Sequence, residues 1–134
     1  MAKLPRGQLG EFLKYHSRSV SRAELAVERE VFGMNAGITS YTTPAQADLL
    51  AEVLHLGPGV RVLDVGAGAG WPGVYLAGTT GCEVVLIDVP VAGLRSAADR
   101  ASRQAARCAV VVGSGMSLPF RRRSFDAVIH TDVL

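Results

Sequence analysis

Short apolar runs alternate with helical stretches through residues 60–130, and this alternation limits the fold more than any other feature of the sequence. The runs are apolar at nearly every position, which is typical of strands that are covered on both faces of a sheet. An amphipathic pattern predicts a helix over Pro90 to Arg107, between the second and third runs. Strands that alternate with helices favour an α/β, Rossmann-like, doubly wound parallel sheet with right-handed connections. The four expected strands are Val60 to Val65, Glu83 to Asp88, Cys108 to Val112 and Phe125 to His130.

Three further helices are expected before the sheet. Apolar residues at helical spacing predict a short helix over Gln8 to His16. Ser21 opens a second helix with the pattern of a capping box, and Gly33 is a suitable stop signal for it. Thr43 begins a third helix with the same pattern and with proline at the first helical position, and the turn at residues 57–59 ends it.

Length and composition fit a single domain, residues 1–134, with N-terminal helices in residues 1–57 and the sheet core in residues 58–134. The net charge is only +2, and Lys and Arg are scattered apart from Arg121 to Arg123, which argues against a nucleic-acid partner. No apolar run has the length of a membrane span, and the start lacks the pattern of a signal peptide. We therefore expect a cytoplasmic protein.

The two cysteines give no indication of a metal site or a redox motif. Cys82 and Cys108 each lie beside an expected strand, and neither belongs to a C-x-x-C pattern or has a histidine close in sequence. Buried, reduced thiols are the interpretation that this isolation favours. We expect no metal ion in this protein.

The stretch LDVGAGAGWPG, residues 63–73, carries four glycines where the first expected strand ends. Open parallel sheets bind ligands at the carboxyl ends of their strands, so this loop is the first candidate for a binding site. It can be read in two registers. From Asp64 it reads D-x-G-x-G-x-G, whereas from Gly68 to Gly73 it reads G-x-G-x-x-G, the fingerprint of a dinucleotide site.

Charge and the later segments favour the first register. A pyrophosphate on the following helix N-terminus would be repelled by Asp64, whereas a ligand with a positive group would suit that carboxylate. Asp88 ends the second expected strand, where a carboxylate can accept hydrogen bonds from ribose hydroxyls in either register. The segment GSGMSLPF (113–120) follows the third strand and SFDAV (124–128) leads into the fourth, and this pair favours the first register. The match of Gly73 to the second register is then a coincidence.

Together these segments resemble the class I S-adenosylmethionine-dependent methyltransferases, in particular the small-molecule branch with an LPF and SFD signature. The resemblance covers about Thr39 to Leu134. It implies that the glycine loop wraps the methionine part of the cofactor with Asp64 near its ammonium group, that Asp88 holds the ribose hydroxyls, and that Val89 packs on adenine. Many relatives carry an acid at the position of Ser114. The loop residues are Asp64, Gly66, Ala67, Gly68 and Gly70, and those expected at the adenine edge are Ser114, Gly115 and Met116.

The resemblance also suggests residues near the transferred methyl group. His130 and Asp132 follow the fourth strand and are candidates for positioning the acceptor or removing a proton, against the alternative of an ordinary strand end and a turn cap. Tyr41 and Thr42 precede the third helix, where relatives often contact the cofactor, against the alternative of a plain helix N-terminus. The acceptor is expected to be a small molecule.

The family sheet has seven strands, whereas this sequence supplies four, in the expected order 3-2-1-4. The fourth strand would then lie at an edge, although its residues look interior, and an apolar edge invites pairing. We expect self-association, strand exchange or a truncated piece of a longer enzyme. Three functions stay open: a methyltransferase, a module that binds S-adenosylmethionine or S-adenosylhomocysteine without transfer, and an NAD(P)-dependent oxidoreductase.

Overall fold

The computed structural model of the chain describes residues 21–38 and 40–131. The helix expected over Gln8 to His16 and the candidate residue Asp132 lie outside this range. Within it the elements are α1 (Arg22–Phe32), α2 (Pro44–Val53), β1 (Arg61–Val65), α3 (Gly73–Thr80), β2 (Glu83–Asp88), α4 (Val91–Arg103), β3 (Cys108–Val112) and β4 (Ala127–Ile129).

Both N-terminal helices in this range begin with the capping boxes that the sequence predicts. The Ser21 hydroxyl accepts a hydrogen bond from the Glu24 backbone N–H, and the Glu24 carboxylate accepts one from the Ser21 N–H. Thr43 and Gln46 repeat the arrangement at the start of α2. Gly33 ends α1 with a left-handed φ of 70°. These local bonds satisfy backbone donors that the first turn of a helix leaves without partners.

The strands form a parallel sheet in the order β3-β2-β1-β4, which confirms the expected Rossmann-like topology. Asp64 of β1 lies in register with Leu86 of β2 and with Ile129 of β4. Because all pairs are parallel, the carboxyl ends of the four strands meet at one edge of the sheet. The glycine loop, the end of β2 and the segments after β3 and β4 therefore lie at the same edge.

The hydrophobic core lies between one face of the central strands and the helices that follow them. Val62, Val84 and Leu86 point to this face and are at most 1% exposed. Leu76 of α3 and Leu94 of α4 pack in the same cluster. Burial of these side chains supplies the main favourable contribution to folding, because it removes a large apolar area from water.

The outer strands differ from the expectation that every run is covered on both faces. Val110 and Val112 of β3 are 38% and 58% exposed, and Val128 of β4 is 58% exposed. The expectation was wrong for these strands because each has a single neighbour in the described sheet. Apolar content alone does not distinguish a central strand from an edge strand.

Smaller differences concern element ends and the two cysteines. The fourth strand is shorter than expected, and α4 stops before Ala105, which has a φ of 50°. Cys82 and Cys108 are both free, Cys82 is buried, and burial raises the pKa of the Cys108 thiol to about 11. None of the helices that the structure describes is both long and apolar enough to cross a membrane.

Candidate functional site

The glycine loop after β1 has the backbone conformation that the first register requires. Gly66, Gly68 and Gly70 have φ values of 72°, 53° and 93°, a left-handed region in which a side chain is unfavourable. The loop is anchored to β2, since the N–H groups of Gly66 and Ala67 both donate to the Ile87 carbonyl. A Cβ atom at Gly68 would meet nothing within 4 Å, so that part of the backbone borders open space.

Gly73 has a structural reason of its own, which is consistent with its match to the second register being a coincidence. It is the first residue of α3, and a Cβ atom there would lie 2.6 Å from both Asp64 Oδ2 and Leu86 Cδ2. The helix therefore approaches the sheet more closely than any other residue type would allow. This glycine serves packing, whereas the three before it shape the loop.

Asp64 lies beneath the loop rather than on its open side. It is 1% exposed, and its Oδ2 makes no hydrogen bond within the part of the chain that the structure describes. The pKa of this carboxyl is raised from 3.8 to about 8. Burial is the largest cause, the nearby N–H of Gly73 opposes it, and the charge of Asp88 adds to it. Its expected role beside the cofactor ammonium group stays a prediction, and the burial places it behind the loop backbone.

Asp88 connects the end of β2 with the glycine loop at the carboxyl edge of the sheet. Its Oδ2 accepts a hydrogen bond of 2.7 Å from the Gly68 N–H, and its Oδ1 accepts one of 2.7 Å from the Val89 N–H. A carboxylate has about four acceptor positions, so two hydroxyl groups can still donate to it. The adjacent Val89 side chain is 54% exposed and offers an apolar surface next to these acceptors.

The segment after β3 lies against the same edge. The Gly113 N–H donates to the Asp88 carbonyl, and a Cβ atom at Gly115 would lie 2.7 Å from Val65. The Ser114 hydroxyl accepts a hydrogen bond from the Met116 N–H, which closes a tight turn. The Met116 side chain is 77% exposed. The structure thus brings this segment next to Asp88, as the sequence led us to expect.

The residues before α2 also reach the loop. The Trp71 indole N–H donates to the Thr42 carbonyl at 2.8 Å, while Tyr41 is 92% exposed. His130 is exposed at the end of β4, and the structure places no described side chain in a hydrogen bond with it. An open, mainly apolar cavity of about 410 Å³ lies between α2 and the end of β4. Its lining residues are Tyr41, Thr42, Gln46, Leu49, Leu50, Val53 and Thr131.

Two charged residues at the site were missed from the sequence. Glu28 is only 8% exposed and accepts hydrogen bonds from the N–H groups of Ala36 and Ile38. Arg100 donates from Nη1 to the Ala69 carbonyl at 2.7 Å. A signal for Arg100 was present, because it falls three residues after Ala97 on the apolar side of α4. No local pattern indicates Glu28, whose partners are eight and ten residues away.

Comparisons with known proteins agree with this geometry. A family model described as a methyltransferase domain matches residues 62–134, more than half of the chain. A 24-methylenesterol C-methyltransferase of Oryza sativa is 36% identical over 86 residues, which cover 63% of this chain and 24% of the relative. A squalene methyltransferase of Botryococcus braunii is 34% identical over 85 residues, which cover 62% and 22%. The chain thus spans about a quarter of the length of these curated relatives.

A solved structure shows the same fold. The S-adenosylmethionine-dependent methyltransferase of Thiobacillus denitrificans, in complex with S-adenosylhomocysteine, superposes with a TM-score of 0.65 at 21% identity. The superposition covers 87% of this chain and 45% of that one. The strand order, the three left-handed glycines and the match to the family model lead to one conclusion. The chain belongs to the class I S-adenosylmethionine-dependent methyltransferase family.

Proposed function

We propose that the chain is the cofactor-binding part of a methyltransferase that methylates a small molecule with S-adenosylmethionine. One observation carries the proposal: the left-handed glycine loop is bonded through Gly68 to Asp88 at the carboxyl edge of the parallel sheet. S-adenosylmethionine supplies an activated methyl group, and its C–S electron pair stays on sulfur in the S-adenosylhomocysteine that is released. The acceptor atom forms the new bond to the methyl carbon and loses a proton where it carries one.

The residues of this edge suit a nucleoside with a charged tail. Asp88 offers acceptors for the two ribose hydroxyls, and the exposed side chains of Val89 and Met116 offer apolar surface for adenine. Gly68 leaves room for the tail to lie directly against the backbone. Ser114 and Gly115 would border the adenine edge. A half-apolar, half-polar ligand is what this combination of side chains favours.

Residues at the other end of the loop are candidates for the acceptor side. Since His130 directly follows β4 at the same sheet edge, we propose that it positions the acceptor or takes its proton, with Asp132 as the second candidate. Tyr41 and Thr42 lie beside the loop through the Trp71 contact and are proposed to border the cofactor. A general base must lie within hydrogen-bond reach of the proton that it removes. The distance from His130 to that proton in a complex with a bound acceptor therefore tests this role.

A small apolar acceptor is the class that we favour. Two relatives are named for sterol and squalene substrates. The cavity beside Tyr41 and Thr42 is also mainly apolar, since Leu49, Leu50 and Val53 contribute to its wall. A nucleic-acid acceptor is disfavoured by the scattered Lys and Arg residues. We place the protein in the cytoplasm as part of this proposal.

Calorimetry separates this function from the dinucleotide alternative. We expect the 134-residue chain to bind S-adenosylhomocysteine and to show no comparable heat with NADPH. Tight binding of NADPH without a response to S-adenosylhomocysteine would contradict the proposal. Incubation with methyl-labelled S-adenosylmethionine and a panel of isoprenoid alcohols, sterols and a peptide then distinguishes an enzyme from a module that only binds. Label that enters the peptide alone would exclude a small-molecule acceptor.

Replacing Asp88 with alanine is expected to weaken binding of S-adenosylhomocysteine on the order of 100-fold. The variant removes the acceptor of the Gly68 N–H and the proposed acceptor of both ribose hydroxyls, and hydrogen bonds to a charged group are each worth about 1.5–3 kcal/mol. Titration calorimetry measures the change. Asp99→Ala is the matched control, because that carboxylate pairs with Arg103 on the exposed side of α4. Equal affinity in wild type and Asp88→Ala would place the site elsewhere.

We also propose that the β4 edge mediates self-association of this chain. Val128 is 58% exposed on a strand that pairs only with β1 in the described sheet. Light scattering should show a mass above the monomer at high concentration, and Val128→Lys should restore the monomer because a charged edge resists pairing. A wild-type chain that stays monomeric would overturn this proposal.

A further inference from the structure

One face of α4 contacts three consecutive residues of the glycine loop. A Cβ atom at Gly93 would lie 2.8 Å from the Gly68 carbonyl oxygen, and a Cβ atom at Gly70 would lie 2.8 Å from the Ala97 Cβ. Arg100 completes the series with its hydrogen bond to the Ala69 carbonyl. Residues 93, 97 and 100 share one helix face, because they are spaced four and three positions apart. Because Gly93 and Ala97 are small, α4 can lie close to the glycine loop, and Arg100 forms a hydrogen bond with it.

Arg100 fixes the orientation of one loop peptide. The Ala69 carbonyl accepts the hydrogen bond from Arg100 Nη1, while the N–H of the same peptide unit, which belongs to Gly70, donates to the Ala67 carbonyl at 2.8 Å. Both polar groups of this peptide are therefore engaged. Glycine-rich loops lose much conformational entropy on ordering, so a contact that restricts this peptide before a ligand arrives lowers the cost of binding.

Arg100 also contacts the N-terminal part of the chain. Its guanidinium group occupies the space that a Cβ atom at Gly37 would need. Glu28 stabilises the backbone around Gly37, since its Oε1 accepts hydrogen bonds from the N–H groups of Ala36 and Ile38, the two neighbours of Gly37. Burial lowers the pKa of Arg100, and the negative charge of Glu28 opposes that effect. A buried acid and a partly buried guanidinium thus both lie next to Gly37.

The same segment is fastened at a second point. We call residues 34–38 and 40–42 the N-terminal strap. At the far end of the strap, the Thr42 carbonyl accepts the indole hydrogen bond of Trp71. Trp71 lies one residue after Gly70 and is 3% exposed. The strap is therefore bound to the glycine loop at Gly37 through Arg100 and at Thr42 through Trp71.

We propose that Arg100 is a positioning residue that holds the N-terminal strap against the glycine loop and so keeps the Ala69–Gly70 peptide in the conformation that binds the cofactor. This inference rests on the proposed function for its effect on affinity. The Arg100 contact makes docking of the strap and binding of S-adenosylmethionine mutually favourable, because both require the same ordered loop.

Trp71 reports on the strap independently of any ligand, because it is the single tryptophan of the chain. Arg100→Met keeps most of the aliphatic stem and removes the donor, and Arg95→Met is the matched control on the exposed side of α4. Gly37→Ala disturbs the same contact from the strap side, since its Cβ displaces the guanidinium. For each folded variant we would measure acrylamide quenching of Trp71 without ligand and the affinity for S-adenosylhomocysteine.

We expect Arg100→Met and Gly37→Ala to increase Trp71 quenching and to weaken S-adenosylhomocysteine binding by about tenfold, in line with the loss of one charge-assisted hydrogen bond. Arg95→Met should behave as the wild type in both measurements. Unchanged quenching in both test variants would overturn the strap contact, and increased quenching with unchanged affinity would overturn the positioning role. If wild type itself binds no S-adenosylhomocysteine, the proposed function fails and the positioning role fails with it, while quenching still decides the strap contact.

Discussion

Replacing Asp64 with asparagine is expected to stabilise the protein at pH 8 by several kcal/mol and by much less at pH 5. The folded-state pKa of about 8 lies above the unfolded value, so the folded chain binds more protons between these values. The free energy of unfolding of the wild type therefore contains a contribution that is complete at low pH and is lost as the pH rises toward 8. Each pH unit in this window corresponds to about 1.4 kcal/mol.

Denaturant unfolding of both proteins at pH 5, 6, 7 and 8 measures this effect. The difference between Asp64→Asn and wild type should grow steadily with pH, because asparagine carries no charge that burial can penalise. The control is Asp99→Asn, whose side chain is 62% exposed beside Arg103. Its difference from wild type should stay nearly constant over the same range. A constant difference for Asp64→Asn as well would show that this carboxyl is already ionised at pH 5.

Gly70→Ala is expected to destabilise the fold by about 3 kcal/mol. The backbone φ of 93° is unfavourable for alanine, which costs about 1–3 kcal/mol by itself. The added Cβ would also lie 2.7 Å from Val74 Cγ2 and 2.8 Å from Ala97 Cβ, so that α3 or α4 must shift. Thermal or denaturant unfolding gives the change in free energy. The loss falls on folding itself, because the two helices meet at this glycine.

Two other glycines serve as controls for Gly70→Ala. Gly57→Ala adds a Cβ that meets nothing within 4 Å, and this residue has no positive φ, so a change within about 0.5 kcal/mol is expected. Gly68→Ala adds a Cβ in open space at a φ of 53° and should cost less stability than Gly70→Ala. If all three substitutions cost the same, close packing between α3 and α4 does not explain the need for glycine at residue 70.

Local signals predicted the elements well where their chemistry is local. The capping boxes at Ser21 and Thr43 involve residues three positions apart, and both form as expected. β2 and β3 have the predicted bounds, and Asp88 ends β2 next to the glycine loop. The candidate site could be located from the expected topology, since strand ends in a parallel sheet meet at one edge.

Long-range contacts could not be predicted in this way. Arg100 reaches Ala69 across 31 residues, and Glu28 organises a turn around Gly37. The apolar runs of β3 and β4 resemble those of the central strands, although Val112 and Val128 are exposed. The packing role of Gly73 could not be predicted either, because it depends on the approach of α3 to Asp64 and Leu86.

The sequence by itself determined the succession of helices and parallel strands, the position of the glycine loop and its register from Asp64 to Gly70, because backbone preferences and capping act between near neighbours. Only the tertiary structure decided which strands lie at the edges, that Asp64 is buried behind the loop, and that Arg100 connects the loop to the N-terminal strap. Those properties depend on which surfaces exclude water and which distant groups meet, and packing sets both.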